Sequence, residues 1–285
     1  MSDRRSASNR LPHDRGAERA GLANNRGPAL ILVPAAIAIA FLVVPLIAVL
    51  VRAPWRGMGR LLSDTAVLTA LRLSLECASG ATIISLLLGV PLAWVLARTS
   101  FPGLGLLRAL VTLPLILPPV VGGLALLLAF GRNGILGRYL DSWFGVTLPF
   151  TTAGVIVAET FVAMPFLIVT VEGAIRSADR GLEEAAATLG ASRLVILGRI
   201  TLPLIGPSLL AGSVLCWARA LGEFGATIIF AGNNPSTTRT MPLAIYNALE
   251  MAPQAAIALS LVLLFVAVIV LLGLRDRWLR VGSAP

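Results

Sequence analysis

Arg219 and Glu223 stand four residues apart in "ARALGEFGAT" (Ala218 to Thr227), a charged pair inside an otherwise apolar run. On a helix this spacing puts both side chains on one face. Counted at about 1.5 Å per residue from Pro207, Arg219 falls roughly 18 Å into a spanning helix, near the middle of a bilayer. Ionisable groups at that depth face protein or water and mark functional sites by default. Thr227, one turn beyond Glu223, adds a hydroxyl suited to a passing oxyanion. Two readings stand side by side. One is a translocation pathway through Arg219, Glu223 and Thr227; the other is a self-neutralising pair that locks helix packing. An anion would be drawn to Arg219 and repelled by Glu223. Gly222 and Gly225 flank the carboxylate and suit a close approach, read here as an interface between two copies of the helix.

Other chemistry is scarce. The one histidine, His13, lies in a polar N-terminal stretch, and Cys77 and Cys216 sit in apolar runs, so no metal site, disulfide framework or Cys/His dyad is expected. All 23 basic residues are arginine, which excludes a Walker A lysine and a Schiff base. No cofactor is expected, the chain is not expected to be an enzyme, and any ATP hydrolysis must reside on a partner. Arg72 and Glu76, one turn apart, read as a membrane-boundary pair. Glu159 and Glu172 fall at or within the fourth apolar run.

The elements that position these residues follow from composition. In 285 residues, 57% are hydrophobic and 13% charged, with a mean hydropathy of +0.88. Such a chain is not an ordinary soluble domain but an all-α polytopic membrane protein. Residues 1–28 are polar and Arg-rich and predict a disordered tail. Apolar runs long enough to span predict six transmembrane helices, at 29–51, 73–97, 109–130, 153–171, 207–231 and 255–274, with a second tail at 275–285. The net charge of +9 follows topology, so no nucleic-acid partner is expected. Arginines are denser in the tails and beside Arg98, Arg108, Arg176 and Arg193 than on the side of Arg132 and Arg239, which places both termini in the cytoplasm. The cluster Arg52, Arg56 and Arg60 opposes that assignment.

One stretch between the fourth and fifth spans fits neither membrane nor loop: "EEAAATLGASRLVILGRITLPL" (Glu183 to Leu204). Asp179 is placed to cap a helix with Glu183 and Glu184 in its first turn, where carboxylates suit the positive end of the dipole. Ala185, Ala186 and Leu189 give it a shallow apolar face. Gly190 is placed to stop it, and Ser192 to cap a second short helix through Leu194, Ile196, Leu197 and Ile200, ended by Pro203. By shape alone, the pair suits a groove on another protein or the membrane surface.

Glu184, Ala185, Ala186, Gly190, Ile200, Leu202 and Pro203 match the spacing "EAA, x3, G, x9, I, x, LP", and the stretch resembles the EAA loop of ABC-importer permeases. That resemblance implies a type I ABC-importer transmembrane domain over 68–274, with residues 179–204 as the coupling loop that docks on a cytoplasmic ATPase. "GRNGILG" (Gly131 to Gly137), "ARALGEFGAT" and "TRTMPLAIYNALE" (Thr238 to Glu250) are similar to the molybdate-type permeases of that family. The helix at 29–51 lies outside the resemblance and reads as an additional anchor. The implied system is a homodimer in the lipid of the bacterial inner membrane, with two ATP-binding-cassette ATPase subunits and an extracellular or periplasmic oxyanion-binding protein. Its implied cargo is molybdate, with tungstate as a near mimic. A sulfate or thiosulfate permease is the neighbouring alternative. A secondary transporter or intramembrane enzyme is the alternative from another class, disfavoured because neither has a use for a docking loop at this place.

Overall fold

The computed structural model describes residues 26–281, which fall into two units divided between Arg52 and Ala53. The expected disordered tail lies outside the described residues except for its last three, which are helical. The first unit is one helix, α1 (Arg26–Arg52), an apolar rod of 27 residues.

The second unit is all helical among its described residues. After a short helical step through α2 (Met58–Leu62), α3 (Thr65–Arg98) runs for 34 residues, its first turn capped by the Asp64 carboxylate, which accepts the Ala66 N–H at 2.8 Å. α4 (Leu104–Ile116) and α5 (Pro119–Phe130) follow, then α6 (Gly137–Phe144) and α7 (Thr152–Ser177), the last capped by Thr151. α8 (Arg180–Thr188), α9 (Arg193–Ile196) and α10 (Leu202–Leu204) are short. α11 (Gly206–Leu221), α12 (Gly225–Phe230), α13 (Met241–Met251) and α14 (Pro253–Val281) complete the chain.

Four helices are long and apolar enough to cross a bilayer, and two bent pairs bring the number to six only if each pair is one span. The expected span 109–130 is therefore not one helix. α4 and α5 meet at 118°, because Pro118 and Pro119 disfavour the helical conformation in the residue before each; Leu117 is extended, with ψ 131°. The expected span 207–231 is also divided. α11 stops at Leu221, Gly222 to Phe224 leave the helix, and α12 begins afresh at Gly225. The expected tail 275–285 is helical as far as Val281.

α7 lies at the centre, packed against α3, α11, α12, α4 and α5. Its contact with α3 and α11 is built from small side chains: Ala78, Ala81, Ala93, Ala163, Cys216 and Ala220 are all fully buried. Lipid offers no hydrophobic drive between helices, so close van der Waals approach across small residues takes its place.

Candidate functional site

The stretch 179–204 folds as its capping residues dictate. Asp179 accepts the Gly181 N–H at 2.8 Å and starts α8. Gly190 ends it in the left-handed region at φ +84°, which a side chain would disfavour. Ser192 caps α9 through the Val195 N–H. The second helix ends at Leu204, one residue past Pro203. A π-turn at Leu197–Thr201 precedes the proline, and the helix continues through α10 before bending 81° into α11. The wider turn relieves the clash a proline ring makes with the preceding turn.

Glu183 is the residue that ties this hairpin to the bundle. Its carboxylate meets the Arg98 guanidinium at the end of α3, both at 3.0 Å, and accepts the Thr201 hydroxyl at 2.9 Å from the π-turn. Both partners of the ion pair are largely buried. Beside them Glu172 takes Arg108 at 3.0 Å and Arg176 at 2.9 Å, and both arginines also donate to the Leu96 carbonyl. Cations gathered at the C-terminal end of α3 complement its dipole. Glu184, Ala185 and Gly190, by contrast, are exposed, while Ala186, Ile200 and Leu202 are half-buried and Pro203 is exposed. Leu189 and Leu194 are 89% and 81% exposed, leaving the hinged pair with an unpartnered apolar tip.

In the interior, Arg219 and Glu223 do pair, at 2.7 Å. Glu223 belongs to the interruption rather than to a continuous helix, and its other oxygen accepts the Ala226 N–H at 2.8 Å in the first turn of α12. Thr227 is fully buried, and its hydroxyl has no hydrogen-bond partner among the described residues. It lies in α12, past the break, and so not on one continuous helix with Arg219 and Glu223. Glu159 on α7 is 1% exposed, with one oxygen similarly unpartnered. The expected role of Gly225 at an interface between copies gives way to a contact within the chain: a Cβ there would lie 2.8 Å from Pro119 Cβ. Likewise, a Cβ on Gly123 would lie 2.8 Å from the Ala226 carbonyl oxygen. α5 and α12 therefore approach backbone to backbone.

A third cluster was not singled out as a site by the sequence reading. In the loop between α12 and α13, Arg239 Nε donates to the Asn233 side-chain oxygen at 2.9 Å, and its Nη2 donates to the Asn233 main-chain carbonyl at 3.3 Å. Asn233 in turn donates to Asn247 of α13 at 2.9 Å.

A helical membrane bundle with a hinged, bundle-tethered hairpin near its C-terminal end defines the transmembrane domain of a type I ABC importer. The bacterial alginate ABC transporter, solved in complex with an alginate pentasaccharide-bound periplasmic protein, contains a chain of this fold. Its TM-score is 0.72 at 19% identity, and the match covers 90% of this chain and 95% of that one. Residues 89–281 match the model of the binding-protein-dependent transport system inner membrane component, and this multi-pass chain belongs to that family. It is 48% identical over 250 residues to the molybdenum transport system permease protein ModB of Mycobacterium bovis, covering 88% of this chain and 94% of the relative. To ModB of Escherichia coli it is 41% identical over 210 residues, covering 74% of this chain and 92% of that protein.

Proposed function

We propose that this chain is the membrane-spanning subunit of an ATP-driven importer of molybdate, with tungstate carried as a near mimic. A doubly charged oxyanion cannot cross hydrocarbon at tolerable cost, so a protein-lined route is required. The observation that carries the reading is the exposed tip of Leu189 and Leu194 on a hairpin pinned to the bundle through Glu183, in a chain whose relatives are named molybdenum permeases.

In this reading two copies pair, and each presents Glu184, Ala185, Ala186 and Gly190 to a cleft on an ATP-binding-cassette subunit. Ile200, Leu202 and Pro203 form the stem that carries the motion to α11. Both termini are cytoplasmic, and a binding protein delivers the anion to the opposite face. Closure of the ATPases on ATP draws the two hairpins together. The Glu183 link to Arg98 and Thr201 passes that movement to α3 and to the bent base of α11. Hydrolysis then returns the bundle to its inward-open state. Glu223 and Arg219 neutralise each other at the helix break, and the buried, unpartnered Thr227 hydroxyl becomes available to the route when the break moves.

Uptake of labelled molybdate into proteoliposomes holding this chain, its ATPase and its binding protein tests the proposal. ATP-dependent uptake blocked by tungstate is expected. Uptake of sulfate alone overturns the cargo, and uptake indifferent to ATP overturns the coupling.

A further inference from the structure

We propose that Arg239 is the fixed positive charge that receives the oxyanion on the permease face opposite the coupling hairpin. The inference rests on the importer reading above and adds to it a residue and a charge rule. Arg72, Arg98, Arg108, Arg132, Arg176 and Arg219 each lie within 4.0 Å of a carboxylate, and their charge is offset. Among the described residues, Arg52, Arg56, Arg60, Arg138, Arg180, Arg193 and Arg199 have no carboxylate in range either, but they are exposed; Arg239 is half-buried, and no carboxylate pairs with it. Neutral acceptors hold it instead, the side-chain and main-chain oxygens of Asn233. Partly removing a guanidinium from water without a counter-charge is costly. Amide oxygens fix its direction while leaving its charge available to a mobile anion.

The mount is rigid. Asn233 is held by Asn247, the Asn234 N–H donates to the Thr238 hydroxyl at 2.8 Å, and the Asn234 carbonyl accepts the N–H of both Thr238 and Arg239. Thr238 and Thr240 are buried, and the Thr240 hydroxyl has no partner among the described residues. The loop is moored at two points, by Thr152 at the start of α7, which donates to the Thr237 carbonyl at 2.9 Å, and by Ser74 of α3, which accepts the Met241 N–H at 2.7 Å. The coupling hairpin leaves the other end of α7, about 39 Å away along a helix of 26 residues. A single guanidinium of this kind raises the local concentration of a dianion and orients it through paired N–H groups. It does not trap the ion, as a route requires.

The decisive variant is N233D. It places a carboxylate where Arg239 already donates; with the Asn247 amide turned to donate to it instead of accepting from Asn233, Arg239 keeps its partner and gains an ion pair while the free charge is cancelled. In the reconstituted transporter with binding protein and ATPase, N233D and R239Q are expected to lower molybdate uptake about tenfold or more. R239K should recover part of it, and the binding protein should still stimulate ATP hydrolysis. Uptake by N233D at the wild-type rate overturns the inference, since the charge would then have been cancelled at no cost to transport. Loss of stimulation together with uptake in N233D also overturns it, by making the loop a docking element. If the unmodified transporter carries no oxyanion, the importer reading fails first, and the inference falls with it.

Discussion

The Glu223 carboxylate is 2.7 Å from the Arg219 guanidinium and 2.8 Å from the Ala226 N–H, so one side chain closes both sides of a helix break. Arg219 retains 27% exposure and Glu223 only 1%. The arginine brings charge balance, and the carboxylate brings a cap to α12 that the backbone lacks.

E223A should destabilise the bundle by about 3–5 kcal/mol, because it strands a partly buried cation and leaves a donor unmet. The double change R219L/E223L should recover the part of that loss owed to the stranded cation, while the Ala226 N–H stays uncapped. Thermal unfolding followed by tryptophan fluorescence in detergent reports both. A single variant that melts with the unmodified chain would show that the pair contributes nothing.

Gly123 and Gly105 make a matched test of close packing. A Cβ at Gly123 would press on Ala226 and Ile229 at 2.8–2.9 Å, whereas one at Gly105 meets nothing within 4 Å. G123A should cost about 1–3 kcal/mol through overpacking. G105A should be neutral or stabilising by up to about 1 kcal/mol. Equal melting temperatures for the two would refute the α5–α12 approach.

G190A probes conformation without contact, since its surroundings are empty and its φ is +84°. Forcing a Cβ into the left-handed region costs about 1–2 kcal/mol and should reorient α8 against α9. Melting of the bundle should hardly move, while ATP-coupled uptake falls. G173A, at an equally open position inside α7, is the control and should leave uptake intact.

L189D and L194D remove apolar surface that nothing among the described residues covers. Folding should be unaffected. Co-purification of the ATPase subunit should weaken by about tenfold or more for each, the size expected of an interface anchor. Undiminished association would place the docking surface elsewhere.

Much of this architecture is legible in residue order. The caps Asp179 and Ser192 and the stop at Gly190 lie where their chemistry puts them, and the long apolar runs of α3, α7 and α14 are helices. Leu117-Pro118-Pro119 holds the signal for the bend between α4 and α5, but the apolar run around it reads as one span. The interruption at Gly222–Phe224 is harder to see, because it lies within one continuous apolar run and depends on Glu223 turning back to cap the next segment. The tie through Glu183 was likewise hidden. The loop motif points to Glu184, and only the fold brings Arg98, 85 residues away, to its neighbour. Arg239 looked like one more charge outside the membrane until Asn233 and Asn247 were seen to fix it without neutralising it.

α7 gives these separate places a mechanical relation. Its first residue, Thr152, holds the loop that carries Arg239, and the carbonyl of Ala178, just past its last, accepts from Arg98 at 3.5 Å. Pro165 stands near the middle and cannot supply its share of the helix ladder. One helix joins the mooring of the Arg239 loop to the tether of the hairpin, so that a tilt of α7 as a rigid body would displace both.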